Sequence, residues 1–370
     1  MNIFESKINE AWENYRNEKA NDLYPNVMFL GVSGAGKSSL MNRIFGVDVA
    51  KVSNVKPETQ GFDHIYMGKK YGMNVNIIDT AGYELHQADS YYDMVHDTII
   101  NGVKGNAVHI VWYCIPVVNE RIEDMDITIL SKLLSEEKIR KRLCVVFTKC
   151  DEDDEDGSTA QAYRRVLKEK CPPVETFETS NLPDLPLDLF KLIEWSAKSI
   201  DDEDLKNNFI ASQFVDLARK KESAKSIIKA SSAAAAAAGA IPIPFADSVV
   251  LVPIQVKMIG SIIDIYGVSS LAMISKTVVS DVLISQLGRS AAKALVSVIP
   301  FAGTLFNIAT SAINATVASS ITAAIGYAIS EICYINVKKY LNGEEVIWEK
   351  IFDENVIMSY VKKFSSNQGK

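Results

Sequence analysis

Gly31-Val32-Ser33-Gly34-Ala35-Gly36-Lys37-Ser38-Ser39 fills every fixed position of the pattern G-x-x-x-x-G-K-[ST] and follows the apolar run Val27 to Leu30. The glycines of such a loop let successive backbone N–H groups point into one concavity that wraps phosphates. Its lysine reaches the β- and γ-phosphates, and the next hydroxyl takes a place on Mg²⁺. The amphipathic stretch Ser39 to Phe45 predicts a helix opening at Lys37, whose positive dipole end adds to the same pull. A strand, a loop and a helix in this order predict phosphate contacts from Ser33, Gly34, Ala35, Gly36, Lys37, Ser38 and Ser39. Lys37 acts on the reacting phosphates and Ser38 on the metal.

Further segments narrow the ligand. The apolar run Val75 to Ile78 ends in Asp79-Thr80-Ala81-Gly82, where the carboxylate can hold Mg²⁺ through water and the Gly82 amide can meet a γ-phosphate. The run Leu143 to Phe147 ends in Thr148-Lys149-Cys150-Asp151. Asp151 can accept two hydrogen bonds from the N1–H and exocyclic amine of guanine. Adenine offers no matching donor pair, so the wrong base leaves groups unpaired. Lys149 is expected along the base plane. Trp195-Ser196-Ala197-Lys198 follows the apolar stretch Leu189 to Ile193, and a backbone amide near Ala197 is expected to meet guanine O6, which adds Ser196, Ala197 and Lys198 to the nucleotide set. Thr59, in Lys56-Pro57-Glu58-Thr59-Gln60-Gly61, is the one threonine between the first loop and Asp79, and it is assigned to Mg²⁺ and the γ-phosphate.

On these motifs residues 26–200 resemble a Ras-like GTPase domain, and more narrowly the Era-like and septin-like branch of bacterial GTPases. Lys37, Ser38, Asp79, Gly82, Thr148, Lys149, Asp151 and Ala197 match the pattern, and Thr59 matches by its place in the loop. The resemblance implies GTP/GDP and Mg²⁺ as ligands. Two departures bear on catalysis. Tyr83 follows Gly82, and the glutamine that orients the attacking water in Ras-type enzymes is absent there. The phosphate-loop asparagine that holds potassium in some Era-like enzymes is Gly34 here. Glu84, His86 and Gln87 stand as substitutes for the glutamine or as solvated loop residues. Slow intrinsic hydrolysis, raised by a partner or by dimerisation, is the expectation.

Composition excludes some classes and permits others. A chain of 370 residues has room for two domains, and its net charge of -7 gives no global electrostatic case for nucleic acid. Cys114, Cys144, Cys150, Cys171 and Cys333 are scattered without C-x-x-C spacing, which reads as reduced thiols in a cytoplasmic setting. The first residues, Met1 to Lys7, lack the basic start and apolar core of a signal peptide, which argues against export.

Along the chain, Ile3, Phe4, Ile8, Trp12 and Tyr15 recur at near-helical spacing and suit a helix laid against the next domain. Strands are predicted near 62–67 and 74–79, joined by a hairpin-like connection over Gly68 to Gly72, and Ala107 to Ile115 reads as a buried parallel strand. Composition then shifts. No charge falls between Ala230 and Ala246, nor between Ala294 and Ser330. Ala240 to Asp247 and Ser297 to Gly303 echo each other weakly, as two related helical hairpins would. Roughly 225–335 resembles the Ala-rich hydrophobic domain, without an assigned function, that follows the GTPase domain in some Era-like bacterial proteins.

The expected architecture is therefore α/β, a Ras-like domain with a mostly parallel sheet and flanking helices, followed by an all-α hydrophobic domain. The divisions are an N-terminal helix at 1–25, a GTPase domain at 26–222, the helical domain at 223–340 and a C-terminal helix or tail at 341–370. The stretch 294–330 passes the length of a membrane span, yet it is rich in Ser, Thr and Asn and divided by Pro300. Asp247, Lys257, Asp264, Lys276 and Asp281 punctuate the other apolar helices, where charge is costly in lipid. Three readings stay open: reversible association with a membrane surface, a soluble bundle used for homodimer or partner contacts, and a permanent hairpin span. Two functional classes remain with them, a GTP-hydrolysing switch and a nucleotide-dependent oligomerising scaffold with negligible turnover.

Overall fold

The computed structural model describes residues 3–20, 23–46, 62–66, 74–80, 88–102, 107–119, 121–153, 157–182, 184–240, 247–268, 311–342 and 344–367. The chain divides into two compact units, one of Leu23–Asp216 and one of Met1–Asp22 with Leu217–Lys370.

The first unit is built on β1 (Asn26–Leu30), β2 (Phe62–Tyr66), β3 (Asn76–Thr80), β4 (Ile110–Pro116), β5 (Leu143–Thr148) and β6 (Thr176–Glu178). These make one six-stranded sheet in the order β2-β3-β1-β4-β5-β6. β1 pairs in parallel with β3 and β4, β4 with β5 and β5 with β6, while β2 closes the edge antiparallel to β3. Every residue of β1, β3, β4 and β5 is buried, as continuous apolar runs must be when helices cover both faces of a sheet.

The strand period of two sorts the core. Val27, Phe29, Trp112, Cys114, Cys144 and Val146 face one way and pack with Leu40 and Ile44 of α2 (Lys37–Phe45). The same cluster takes in Leu192 and Ile193 of a helix at Leu189–Lys198 and Phe209 of one at Glu203–Ser212. Met28, Leu30, Val111, Tyr113, Val145 and Phe147 face the other way, toward Val95 of Ala88–Asn101, Leu130 and Leu133 of Asp124–Leu134, and Tyr163 of Ser158–Lys170. This is the doubly covered parallel sheet of a Ras-like GTPase domain. Its parallel strands all end at one edge, where ligands of such sheets bind.

The second unit is helical. With α1 at Ile3–Ala20, the α-helices after α2 run in chain order as α3 (Ala88–Asn101), α4 (Asp124–Leu134), α5 (Glu137–Arg140), α6 (Ser158–Lys170), α7 (Leu189–Lys198), α8 (Glu203–Ser212), α9 (Leu217–Gly239), α10 (Asp247–Ile265), α11 (Ser311–Leu341) and α12 (Glu354–Asn367). The unit holds α1 and α9 to α12.

The N-terminal helix packs on α10 within the helical unit. The Tyr15 hydroxyl donates to Asp264, Glu18 pairs with Lys257 at 2.6 Å, and a Cβ at Gly260 would stand 2.5 Å from the Tyr15 ring, so only glycine admits the helix this close. The expected boundary at 222/223 falls inside the continuous helix α9. The stretch beyond 340 holds the helix α12, and its Phe364 ring lies 5.7 Å from that of Tyr327 in α11.

Polar side chains join some of the helices of this unit. Gln255 donates to Thr322 at 3.2 Å, and the Tyr266 and Ser330 hydroxyls lie 3.0 Å apart, joining α11 to α10 and the turn after it. Among the described residues, Ala315–Leu341 is the one stretch long and apolar enough to cross a membrane, and 56% of its most apolar part is buried inside the protein. The repeated Pro-containing segments, at 241–246 and 297–303, lie outside the described residues, as do Pro300, Lys276 and Asp281.

Candidate nucleotide-binding site

The phosphate loop is shaped by what lies beneath it. Gly31 takes φ +129, and a Cβ there would come within 2.2 Å of the Cys114 carbonyl oxygen of β4, so no side chain fits where the chain leaves β1. The Ala35 amide then donates to Val32 O at 3.1 Å, and Gly36 forms the N-cap of α2. Lys37 is 8% exposed, and its Nζ donates to Gly31 O and Val32 O at 3.1 Å each. The ammonium therefore sits inside the curl of the loop, beside the free N–H groups of the helix start. Together they make the electropositive end that phosphate anions need. Ser33, Gly34, Ser38 and Ser39 lie exposed around the rim.

Neighbouring strands brace this loop. Thr148, the last residue of β5, donates through Oγ1 to Ala35 O at 2.6 Å. Asp79, 6% exposed, ends up beside Phe29 in the β1–β3 register, so its carboxylate and the Ser38 hydroxyl belong to the same sheet edge. Thr80 Oγ1 donates to Phe29 O at 2.9 Å and lies 3.2 Å from the Tyr91 hydroxyl. Tyr91 is also hydrogen-bonded to the Gly31 backbone, and burial pushes its phenol up to about 12, so it stays neutral. One tyrosine of α3 thus ties the phosphate loop to the end of β3. Sequence reasoning passed over it, because a tyrosine at a buried helical position looks like any core residue.

The turn after β5 lies against the segment after β6. Lys149 takes φ +58, a left-handed conformation that costs a non-glycine residue energy and is held by its surroundings. The Cys150 amide donates to Thr179 O at 3.1 Å, and the Thr179 amide to Phe147 O at 2.8 Å. The Cys150 thiol is raised by burial to about 12 and remains protonated. Asp151 is exposed at the end of this turn.

The expected contribution of Ser196, Ala197 and Lys198 is corrected. They are the last turn of α7, not a loop at the strand edge. Ala197 is fully buried in the core, and the Ser196 hydroxyl accepts a 3.0 Å hydrogen bond from Trp112 Nε1. Their amides are inside a helix, so they cannot meet a base. The segment that stands beside Lys149 to Asp151 is instead Thr179-Ser180-Asn181, because β6 runs parallel to β5. The sequence signal was weak: a strand of three residues carries no periodicity. Thr59, Gly82, Tyr83, Glu84, His86 and Gln87 lie outside the described residues.

Residues 26–149 match the model of a family described as 50S ribosome-binding GTPase, and residues 201–347 match a domain of unknown function, DUF697. The second match begins within the nucleotide-binding unit, taking in α8. A probable GTP-binding protein EngB from Aquifex aeolicus (strain VF5) is 40% identical over 60 residues, which are 16% of this chain. The chain thus spans 31% of the length of that relative. Among solved structures, a dimerisation-deficient variant of Toc33 from Arabidopsis thaliana aligns with 54% of this chain and 92% of its own, at 16% identity and a TM-score of 0.36. Toc33 in complex with GDP and Mg²⁺ aligns with 55% of this chain and 90% of its own, at 14% identity and a TM-score of 0.34. The matched segments and the fold give a P-loop GTPase domain followed by a DUF697 domain.

Proposed function

We propose that the protein is a GTP-hydrolysing switch of the Era-like kind, whose nucleotide state governs how its helical domain engages a membrane surface or a protein partner. The observation that carries the nucleotide half is the convergence of Lys37, Asp79 and the Thr148 to Asp151 turn on one edge of a parallel sheet, with Thr148 bonded directly to the phosphate loop. The phosphates sit on the amides of Ser33 to Ser39 and on Lys37. Asp151 reads the N1–H and exocyclic amine of guanine, Lys149 lies along the base, and the backbone after β6 faces O6 in place of Ala197.

The oxygen donors of Ser38 and Asp79 fit a small hard divalent cation, which prefers oxygen and keeps several of its waters. Ser38 would hold Mg²⁺ directly and Asp79 through water, with Thr59 joining in the triphosphate state. Such a cation neutralises charge on the β- and γ-phosphates. Ordering of the loops around Thr59 and Tyr83 by the γ-phosphate is the device by which nucleotide state reaches the rest of the chain.

Tyr83 in place of a water-orienting glutamine favours a second reading, a nucleotide-dependent scaffold that oligomerises and hardly turns over. Single-turnover GTP hydrolysis measured over a range of protein concentrations separates the two. A rate that rises with concentration supports the switch, and no turnover at any concentration supports the scaffold. Co-sedimentation with lipid vesicles in GDP and in a non-hydrolysable GTP analogue tests the helical half.

A further inference from the structure

We propose that Arg43 is a specificity-determining positioning residue that holds the base-reading groups in register with the phosphate loop. The proposal rests on the guanine assignment of Asp151 and deepens it. Arg43 lies in α2, the helix that opens at Lys37, in its last turn. Its Nη1 donates to two carbonyls of the segment after β6, Ser180 O and Leu182 O, each at 2.5 Å.

That segment has left the sheet, and of its two carbonyls Leu182 O also accepts from the Leu185 amide at 3.1 Å. Backbone oxygens in such a place need a donor, and one planar guanidinium can serve two at fixed spacing. The same guanidinium is drawn electrostatically to the Asp151 carboxylate, which offsets part of the cost of its burial. A single side chain therefore links three things. It belongs to the phosphate-binding helix, it fixes residues 180–182, and it is within electrostatic reach of the Asp151 carboxylate. Thr179 joins that segment to the Thr148 to Asp151 turn from the other side.

The chemistry that depends on this arrangement is recognition of O6, which the backbone of residues 179–181 faces. A backbone amide meets that oxygen only if the segment is held at one distance from the base, and guanine and hypoxanthine carry the oxygen where adenine carries an amine. Arg43 should therefore matter for guanine and hypoxanthine alike and little for adenine. It should matter little for the phosphate grip of Lys37.

The test uses the full chain and titration calorimetry with GDP, IDP and ADP, on the wild type, R43A and R43K. In R43A, affinity for GDP is expected to fall about 10- to 100-fold, the loss of charge-assisted hydrogen bonds, with IDP falling by a similar factor and ADP little changed, so that the preference for GDP and IDP over ADP narrows. R43K keeps a charged donor and is expected to recover part of that preference. If R43A does not fold, R43Q, which keeps an N–H donor without the charge, carries the same comparison.

A common loss for GDP, IDP and ADP in the variants would show that Arg43 only supports the fold, and unchanged GDP binding would show that it does nothing here. Either result overturns the proposal. Wild-type protein that binds ADP as tightly as GDP would instead overturn the guanine assignment itself.

Discussion

Thr148→Val removes one hydroxyl from beneath the phosphate loop and changes almost nothing else. Thr148 is 4% exposed, its Oγ1 donates to Ala35 O at 2.6 Å, and its side chain is in van der Waals reach of the space a Cβ on Gly36 would take. Valine has the same shape, so no cavity opens, but the buried Ala35 carbonyl loses its donor. Leaving such an acceptor unpaired costs about 1–3 kcal/mol. At about 1.4 kcal/mol per tenfold, that is roughly 5- to 150-fold in whichever equilibrium bears it.

Two equilibria can bear that cost. A loop that stays in place without nucleotide shows it as lost stability, roughly 2–4 °C per kcal/mol for a domain of this size. A loop that relaxes toward water when empty shows it as weakened binding. The assay is therefore paired: thermal unfolding without nucleotide, and GDP affinity by calorimetry with its dissociation rate by fluorescent-analogue chase. A variant with wild-type melting temperature, affinity and dissociation rate would refute the idea that β5 holds the loop through this bond.

Asp151→Asn should weaken GDP and favour xanthine nucleotide, since an amide presents a donor where xanthine offers an oxygen; competition between GDP and XDP checks it, and an unchanged ratio removes Asp151 from the base site. Ser38→Asn, which takes away the hydroxyl expected on Mg²⁺, should lower GTP affinity more than GDP affinity at millimolar Mg²⁺, as read by calorimetry with a non-hydrolysable analogue. Replacing sodium by potassium should leave basal turnover within about twofold, because Gly34 supplies no amide ligand; a steady-state phosphate-release assay in dilute protein decides it. Deleting residues 1–22 should destabilise the helical unit, through loss of the Tyr15–Asp264 and Glu18–Lys257 pairs, while GDP affinity is unchanged. Limited proteolysis beside calorimetry would show whether the damage falls there.

Most of the sheet was legible because its strands are buried on both faces. Val27 to Leu30, Val75 to Ile78 and Leu143 to Phe147 are apolar enough to be read as strands, and the motif residues come directly after them. The phosphate loop and the Thr148 to Asp151 turn were found for the same reason. The partner of the N-terminal helix was not legible. Spacing of Ile8, Trp12 and Tyr15 says that one face is covered, and it does not say by what. The partner on α10 is more than two hundred residues away in sequence, and its marks are Gly260 and Asp264, each unremarkable alone.

The helical placement of Ser196 to Lys198 is of another kind, because the sequence contained the signal for it. Leu189, Leu192, Ile193, Ser196 and Ala197 are buried, and they recur at the three-and-four spacing of one helical face. A serine and an alanine that continue an apolar stripe belong to that stripe, so they point into the core and their amides are spent on helix hydrogen bonds. A base-contacting amide has to be free, which requires the chain to have left regular structure just past the end of a strand. Thr179-Ser180-Asn181 meets that condition although only three strand residues precede it. The side chain that holds it there, Arg43, sits two residues before the end of α2 and looks from sequence like an ordinary basic residue of a helix's last turn. Residues that touch the nucleotide carry a motif because the ligand fixes their spacing. A residue that positions them is fixed only by the fold, so it becomes visible when the elements are assembled.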